Sequence, residues 1–480
     1  MINVYTNREN YQYDLHALLK SFYPEHDVRV YAAEVQEEHQ DSENRVIVQL
    51  FHDSMRVILD IDVRKEYVHT YKNDTDVTKK ERKLSIYYDL CDYTGKTLPW
   101  GNLTGIRPTK LAMGMLAEGK EDMEIVSWLK AAHAVSEEKA QLSLDIARRE
   151  KAILDRIHFE DGYSIYIGIP FCPTTCLYCS FTSYPIAVWR KRVNDYLQAL
   201  FQEIDFVAKT YQHKILDTVY IGGGTPTTLE AEELDKLLGH VRDRFDFQQV
   251  TEFTVEAGRA DSITREKLDV LKKHGVTRIS VNPQTMKDET LKYIGRQHTV
   301  AQVKDAFWLA RAAGFDNINM DIILGLPGEL EADVQNTIHE ISKLNPDSLT
   351  VHSLAVKRAS KLSQWIEENG IATLRNTDST MEIAQNGAYA LGMKPYYLYR
   401  QKNMSGNFEN VGYAREGKYG IYNILIMEEK QTIVACGAGS ISKRVYPDGR
   451  IERCENVKDV ASFIERIDEM IERKRKLLED

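Results

Sequence analysis

The amino-acid sequence predicts an α/β protein whose centre is a partial barrel of six βα units, with a small α+β module before it and a small α+β region after it. Three observations carry this. From residue 164 onward, short apolar runs alternate with amphipathic helical stretches six times in succession, a rhythm that implies a parallel sheet with right-handed crossovers. All six runs end in polar residues or glycine, at the strand ends where barrels of this kind gather their chemistry. Before residue 100, β-rich runs follow one another without helices between them, the pattern of an antiparallel sheet. At 480 residues the chain exceeds a single core. We place the module at 1–100, a helical linker at 101–160, the partial barrel at 161–356 and the C-terminal region at 357–480.

In chain order, a helical pattern around residues 13–22 precedes the runs VRVYAAEV, RVIVQLFH, MRVILDIDV and the alternating KLSIYYDL, all read as strands, with Tyr87, Tyr88 and Tyr93 as ordinary strand or turn residues. The segment LPWGNLTGIRPTK turns into a helix and carries Arg107, either a surface side chain or an arm for an anionic substrate. Two charged helices are expected over 121–132 and 137–158. The barrel strands are SIYIGI, LDTVYIG, TEFTVE, TRISVN, INMDIIL and SLTVHS. They end respectively in the cysteines, Gly222-Gly223-Gly224-Thr225-Pro226, Glu256, Asn282 with Gln284, Asp321 followed by Gly325-Leu326-Pro327-Gly328, and His352 with Ser353. Beyond residue 356 the sequence predicts helices at 363–369 and 377–387, one strand in QTIVACGAGSISK, and a terminal helix over 457–478 whose end, KRKLLED, is solvated.

Composition is that of an ordinary globular protein, with 43% hydrophobic and 28% charged residues. A formal net charge of -10 offers nucleic acid no global attraction. The first residues lack a basic and apolar leader pattern, and no uncharged apolar run reaches membrane-spanning length, so a cytoplasmic location without a membrane span is expected.

Cys172, Cys176 and Cys179 stand in the spacing C-x3-C-x2-C, while Cys91, Cys436 and Cys454 are scattered. Clustered thiols in a chain without a secretion signal point to metal chemistry in a reducing compartment. Three thiolates leave one position of a four-fold site open. A structural zinc site normally closes all four with protein ligands, whereas an iron–sulfur cluster can keep one iron for substrate.

In order and spacing, IPFCPTTCLYCSF, IGGGTPT, NPQT, GRQHT, NMDIILGLPGE, ENVGY and GAGSIS resemble the oxygen-independent coproporphyrinogen III oxidase family of the radical S-adenosylmethionine (SAM) superfamily, HemZ-type branch, over about residues 160–445. The resemblance implies a radical SAM barrel and a [4Fe-4S] cluster on Cys172, Cys176 and Cys179, with SAM on the open iron. It implies SAM contacts from Tyr166, Tyr178, Gly223, Gly224, Thr225, Glu256, Gln284, Arg296, Asp321 and Ala355. Among these, the glycine run would offer its N–H groups to the amino-acid end of SAM. Glu256 would accept from an amino group, Gln284 and Arg296 would hold carboxylate or ribose oxygens, and Asp321 would take ribose hydroxyls.

The implied reaction draws on a low-potential electron donor. SAM is cleaved to methionine and a 5′-deoxyadenosyl radical, which removes a hydrogen from the β-carbon of a propionate. Loss of an electron and of carbon dioxide leaves a vinyl group, twice per coproporphyrinogen III, giving protoporphyrinogen IX. Arg107, Arg358 and Arg400 are candidates for the propionates, because a guanidinium binds carboxylate bidentately.

Two positions depart from the oxidase pattern: Phe181 replaces a further cysteine, and Gly168 a histidine. The cluster needs neither, while the substrate assignment stays open. The rivals are a haem chaperone of a related branch, whose HNxxYW-like motif is here Glu409-Asn410-Val411-Gly412-Tyr413, and a radical SAM methyltransferase of tetrapyrroles.

Overall fold

A computed structural model describes residues 1–32, 44–61, 66–72, 77–105, 107–179, 183–355, 360–369, 374–400 and 408–479. They form two compact units, Met1–Arg148 with Leu398–Glu409, and Arg149–Tyr397 with Asn410–Asp480. No helix among the described residues is long and apolar enough to cross a membrane.

The first unit opens with β1 (Ile2–Thr6), α1 (Gln12–Phe22), β2 (Val28–Ala32), β3 (Arg45–Leu50), β4 (Ser54–Asp60), β5 (Tyr67–Lys72) and α2 (Lys79–Thr94). Its strand order is β2-β1-β3-β4-β5. β1 runs parallel to both β2 and β3, and only the β3–β4 and β4–β5 pairs are antiparallel. The sheet is therefore mixed rather than antiparallel. α1 supplies the crossover that parallel pairing of β1 and β2 requires.

The run KLSIYYDL, expected as a strand, lies in α2. Thr78 accepts from the Glu81 amide and Glu81 from the Thr78 amide, closing a capping box, and Gly95 ends the helix at φ 68°. Ile86, Tyr87, Leu90 and Tyr93 then fall on one helical face and pack with Leu15, Leu18, Leu19, Phe22, Val4 and Val57. Tyr87 and Tyr93 are thus core residues of a helix. The unit continues through α3 (Thr109–Ala117) and α4 (Asp122–His133). Within it, fully buried Trp100 donates from Nε1 to Glu409 at 2.7 Å, and Lys139 pairs with the same carboxylate at 2.8 Å.

After α5 (Glu137–Leu154), the second unit runs β6 (Gly162–Ile169), β7 (Phe171–Cys172), β8 (Tyr184–Pro185), α6 (Ile186–Trp189), α7 (Val193–Thr210), β9 (Ile215–Gly223), α8 (Ala231–Arg244), β10 (Glu252–Glu256) and α9 (Arg265–Lys273). It continues through β11 (Arg278–Ser280), α10 (Asp288–Tyr293), α11 (Val300–Ala312), β12 (Ile318–Leu324), α12 (Glu331–Leu344) and β13 (Ser348–Ser353). The six expected strands are all present and pair in sequence, β6-β9-β10-β11-β12-β13, each parallel to the next. Their carboxyl ends therefore share one rim.

The remaining elements are α13 (Lys361–Asn369), α14 (Asp378–Ala390), β14 (Lys394–Tyr399), β15 (Asn410–Ala414), α15 (Ile421–Glu428), β16 (Thr432–Cys436), β17 (Ile441–Val445), β18 (Ile451–Glu455), α16 (Val460–Glu465) and α17 (Ile467–Leu478). β15 adds antiparallel beside β13, and β16 parallel beside β6, so the barrel stays open and both its edges are extended.

The run 431–443, expected as one strand, divides into β16 and β17, because Gly437 turns at φ 100° and its amide donates to Glu203 at 2.7 Å. The expected single terminal helix is two, α16 and α17. The KRKLLED end is not wholly solvated either: Lys474 is fully buried, donating to the Ala435 carbonyl at 2.8 Å and pairing with Glu203 at 3.1 Å.

Candidate active site

The cysteine loop leaves β6 through Pro170 and is pinned at several points. Tyr184 N donates to Pro170 O at 2.8 Å, Leu177 N to Ile294 O at 3.0 Å, and Thr174 Oγ1 to Gly295 O at 2.8 Å. Arg259, on the loop after β10, holds it from the side. Its Nη1 donates to Thr174 Oγ1 at 2.7 Å and stands 3.9 Å from Cys176 Sγ, while Nε and Nη2 bind Asp261 at 3.0 and 2.6 Å.

Arg296 is the second guanidinium at Cys176 and also bonds Tyr178. Burial works against its charge, but Tyr178 and Cys176 outweigh that and hold it as a cation. Two buried cations beside one thiol suit an anionic cluster with thiolate ligands. Cys172 Sγ lies 3.5 Å from Thr225 Oγ1, and burial, with the neighbouring cysteines, pushes its thiol up to about 11. Among the described residues no three His, Cys, Asp or Glu side chains stand close enough to hold one metal ion. A cubane cluster spaces its thiolates around several irons and does not ask for that convergence.

The glycine run at the end of β9 lies against the start of this loop. Gly223 has φ 108°, and a Cβ on Gly224 would sit 2.5 Å from the Phe171 carbonyl, so neither position accepts a side chain. The run's N–H groups are not offered to SAM as expected. Gly224 N donates to Ile169 O at 2.8 Å, Thr225 N to Phe171 O at 2.7 Å, and Gly223 N to the Glu256 carboxylate. What the two glycines leave at the start of the loop is backbone free of side chains.

Glu256 accepts from Tyr220 Oη as well. Burial raises its carboxyl to about 7, with Asp321 adding to the rise and the Tyr220 bond opposing it. Tyr166, Tyr220 and Tyr422 stack beside it, the Tyr220 and Tyr422 rings 4.4 Å apart and each 6.1 Å from Tyr166.

Gln284 sits at φ 68°, its backbone bridging to β12 through Asp321 O at 2.9 Å and Ile323 N at 2.9 Å. Among the described residues, the Gln284 Oε1, Asn282 Oδ1 and Arg296 Nε atoms are buried without a hydrogen-bond partner. Buried polar atoms are rarely left so, and these three fit the polar groups of SAM. Asp321 accepts from Asn319 at 2.6 Å and faces His352 at 3.7 Å. Burial raises its carboxyl, but His352 and Asn319 outweigh this and hold it below the usual range.

The structure thus groups Cys172 with Thr225, Cys176 with Tyr178 and Arg296, and Tyr166 with Gly223 and Glu256. Cys179 Sγ lies 4.0 Å from Ser183 Oγ. Ala355 follows the end of β13, where Leu354 N donates to Leu324 O at 2.9 Å. Arg259, Tyr220 and Tyr422 escaped the sequence analysis; only Arg259, three residues past Glu256, carried a local signal, a charge just beyond a strand end. Of the arginines considered for substrate, Arg358 lies outside the described residues, as does Phe181. Arg400 is buried in the first unit, donating to Leu103 O at 2.6 Å with its guanidinium 5.8 Å from the Trp100 ring.

Residues 166–341 match the radical SAM superfamily. The chain is 43% identical over 424 residues to the oxygen-independent coproporphyrinogen-III oxidase-like protein HemZ of Bacillus subtilis (strain 168), covering 86% of this chain and 85% of that protein. It is 42% identical over 196 residues to the heme chaperone HemW of the same organism, covering 40% of this chain and about half, 51%, of that one. Coproporphyrinogen III oxidase (HemN) from Escherichia coli, a radical SAM enzyme, shares the fold with a TM-score of 0.53 at 22% identity, over 67% of this chain and 73% of that one. With a thiol loop, buried guanidiniums and unpartnered amide oxygens that fit the superfamily's [4Fe-4S] cluster and SAM, its cofactors, the chain belongs to the radical SAM superfamily, in its oxygen-independent coproporphyrinogen-III oxidase-like branch.

Proposed function

We propose that the protein is a cytoplasmic radical SAM oxidoreductase that decarboxylates two propionates of coproporphyrinogen III to vinyl groups, giving protoporphyrinogen IX in haem biosynthesis. The observation that carries this is the shared rim: cysteine loop, side-chain-free glycine run, half-buried carboxylates and orphaned amide oxygens meet at the carboxyl ends of six parallel strands. Likeness to the HemZ protein over most of both chains supports the tetrapyrrole as substrate.

In this reading Cys172, Cys176 and Cys179 hold the cluster, and Arg259 and Arg296 balance its charge. The Gly223 and Gly224 carbonyls and Glu256 accept from the ammonium group of SAM. Gln284 and Arg296 meet its carboxylate, and Asp321 its ribose hydroxyls. Tyr166 and Tyr178 line the same pocket, with Thr225 beside Cys172 and Ala355 at the last strand end. Bound together, cluster and SAM supply a 5′-deoxyadenosyl radical when a low-potential donor delivers an electron. The residues of the rim keep the reacting carbon close and keep water out.

The haem-chaperone alternative finds less support. Where that branch carries its motif histidine this chain has Glu409, which is 1% exposed and already bonded to Trp100 and Lys139, and Asn410 Oδ1 accepts from Ser353 N at 2.9 Å.

The test is anaerobic. After cluster reconstitution, the protein is incubated with SAM, a low-potential reductant and coproporphyrinogen III, with Cys176→Ala as control. We expect protoporphyrinogen and 5′-deoxyadenosine from the native chain. The variant is expected to lack both products and the brown absorption near 400 nm of a cluster. Stoichiometric haem binding without tetrapyrrole turnover would favour the chaperone, and S-adenosylhomocysteine the methyltransferase.

A further inference from the structure

The first unit carries a cleft of about 850 Å³ whose walls include Asn7, Arg8, Tyr11, Phe51, His52 and Arg82. Its position follows from topology. β1 leads through α1 to β2 on one side, while its other neighbour is β3, so the strand order reverses between β1 and β3. Open α/β sheets take ligands at such a reversal, outside the carboxyl ends of the strands. The cleft lies there, lined by the residues that follow β1 and β3 and by the first turn of α2.

The floor is fixed by Asn7. Its Nδ2 donates to Leu50 O at 3.0 Å and its Oδ1 accepts from Leu50 N at 2.8 Å, tying the two strand ends together. The walls are cationic. Arg8 and Arg82 face one lining carboxylate, Glu9. Both guanidiniums, with Lys79, stand near enough to the buried Tyr11 hydroxyl to act on it electrostatically. Lys79 is already paired with Asp14 at 2.7 Å. Arg82 is not committed in the same way: Nη2 reaches the His52 carbonyl only at 3.5 Å, and among the described residues its buried Nε has no hydrogen-bond partner. Phe51 leaves an apolar ring 45% exposed on the same cleft.

We propose that this crevice is a second ligand site, separate from the SAM pocket, that binds a small molecule of the mononucleotide class. Its phosphoryl group lies between Arg8 and Arg82 and its flat base covers Phe51. Two guanidiniums lining one cleft suit a group with several acceptor oxygens. The size agrees with clefts that hold small ligands, roughly 300 to 1,000 Å³.

The test is equilibrium dialysis of the full chain at saturating SAM, which blocks the barrel, against AMP, inorganic phosphate and adenosine. We expect one AMP per chain, with phosphate and adenosine each at least about tenfold weaker. Arg8→Gln and Arg82→Gln are each expected to weaken AMP about tenfold, the loss of one charge-assisted contact, with SAM binding unchanged. Arg8 is exposed, so its variant keeps the test intact if Arg82→Gln fails to fold. AMP that binds no better than phosphate, that is displaced by SAM, or that binds Arg8→Gln with native affinity overturns the proposal.

Discussion

Two crevices in this molecule stand at the carboxyl ends of parallel strands, and they are furnished differently. At the rim of β6 to β13 the guanidiniums are buried and held by several partners: Arg259 is 3% exposed and bonded to Thr174 and Asp261, and Arg296 is 7% exposed. At β1 and β3 the groups are fewer and wetter, with Arg8 and His52 exposed. The first arrangement is preorganised for electrostatic work in low dielectric, where a misplaced group costs most. The second suits reversible binding, where each contact is worth less. The same topological rule therefore yields two kinds of site, and the difference lies in burial.

Arg259 offers the largest effect with which to break that comparison. Replacing it by leucine leaves Asp261 facing only His298 and frees the cysteine loop at Thr174. Losing one partner of a buried ion pair costs about 3 to 5 kcal/mol. We expect a urea midpoint reduced to match and less iron per chain after reconstitution, read by colorimetric iron assay. Native stability and iron content in Arg259→Leu would show the rim to be no more preorganised than the N-terminal cleft.

How much the sequence reveals also differs between the two regions. The barrel strands are buried on both faces, in β6 by Ile165, Ile167 and Ile169 on one side and Ser164 on the other, so they lack the polar-out alternation of a surface sheet and read as apolar runs. The cysteine triad is legible because its members are local. Arg259 reaches Thr174 across 85 residues, and no local pattern announces that. Tyr422 joins the Tyr166 and Tyr220 stack from another part of the chain for the same reason. In the first unit β1 is only five residues long, and the period-two alternation in KLSIYYDL masks a helix whose capping signal, T-x-x-E, was there to be found.

A pH series sharpens the contrast. Glu256 has its carboxyl raised by burial from 4.5 to about 7. Between those values the folded chain holds a proton that the unfolded chain has released. Stability from this group is therefore greatest below pH 4.5 and declines as pH climbs to about 7, by roughly 3 kcal/mol in full. Urea midpoints measured across that window should fall more steeply for the native chain than for Glu256→Gln, which has no proton to lose. Parallel slopes would mean that the carboxylate is solvated and the rim wet.

The smallest effect concerns the helix that walls the N-terminal cleft. Thr78 caps α2, its hydroxyl accepting from the Glu81 amide while Glu81 returns a bond to the Thr78 amide. In Thr78→Ala the Glu81 amide loses that acceptor, and caps of this type are worth about 1 kcal/mol. The change lies on the surface, remote from the packed face of Ile86 and Leu90, so a loss of that size reports the helix end alone. If the segment were the strand that its alternation suggests, no cap would exist and the urea midpoint of Thr78→Ala would match the native one. A measured loss near 1 kcal/mol would establish the helix whose first turn carries Arg82, and with it one wall of the cleft.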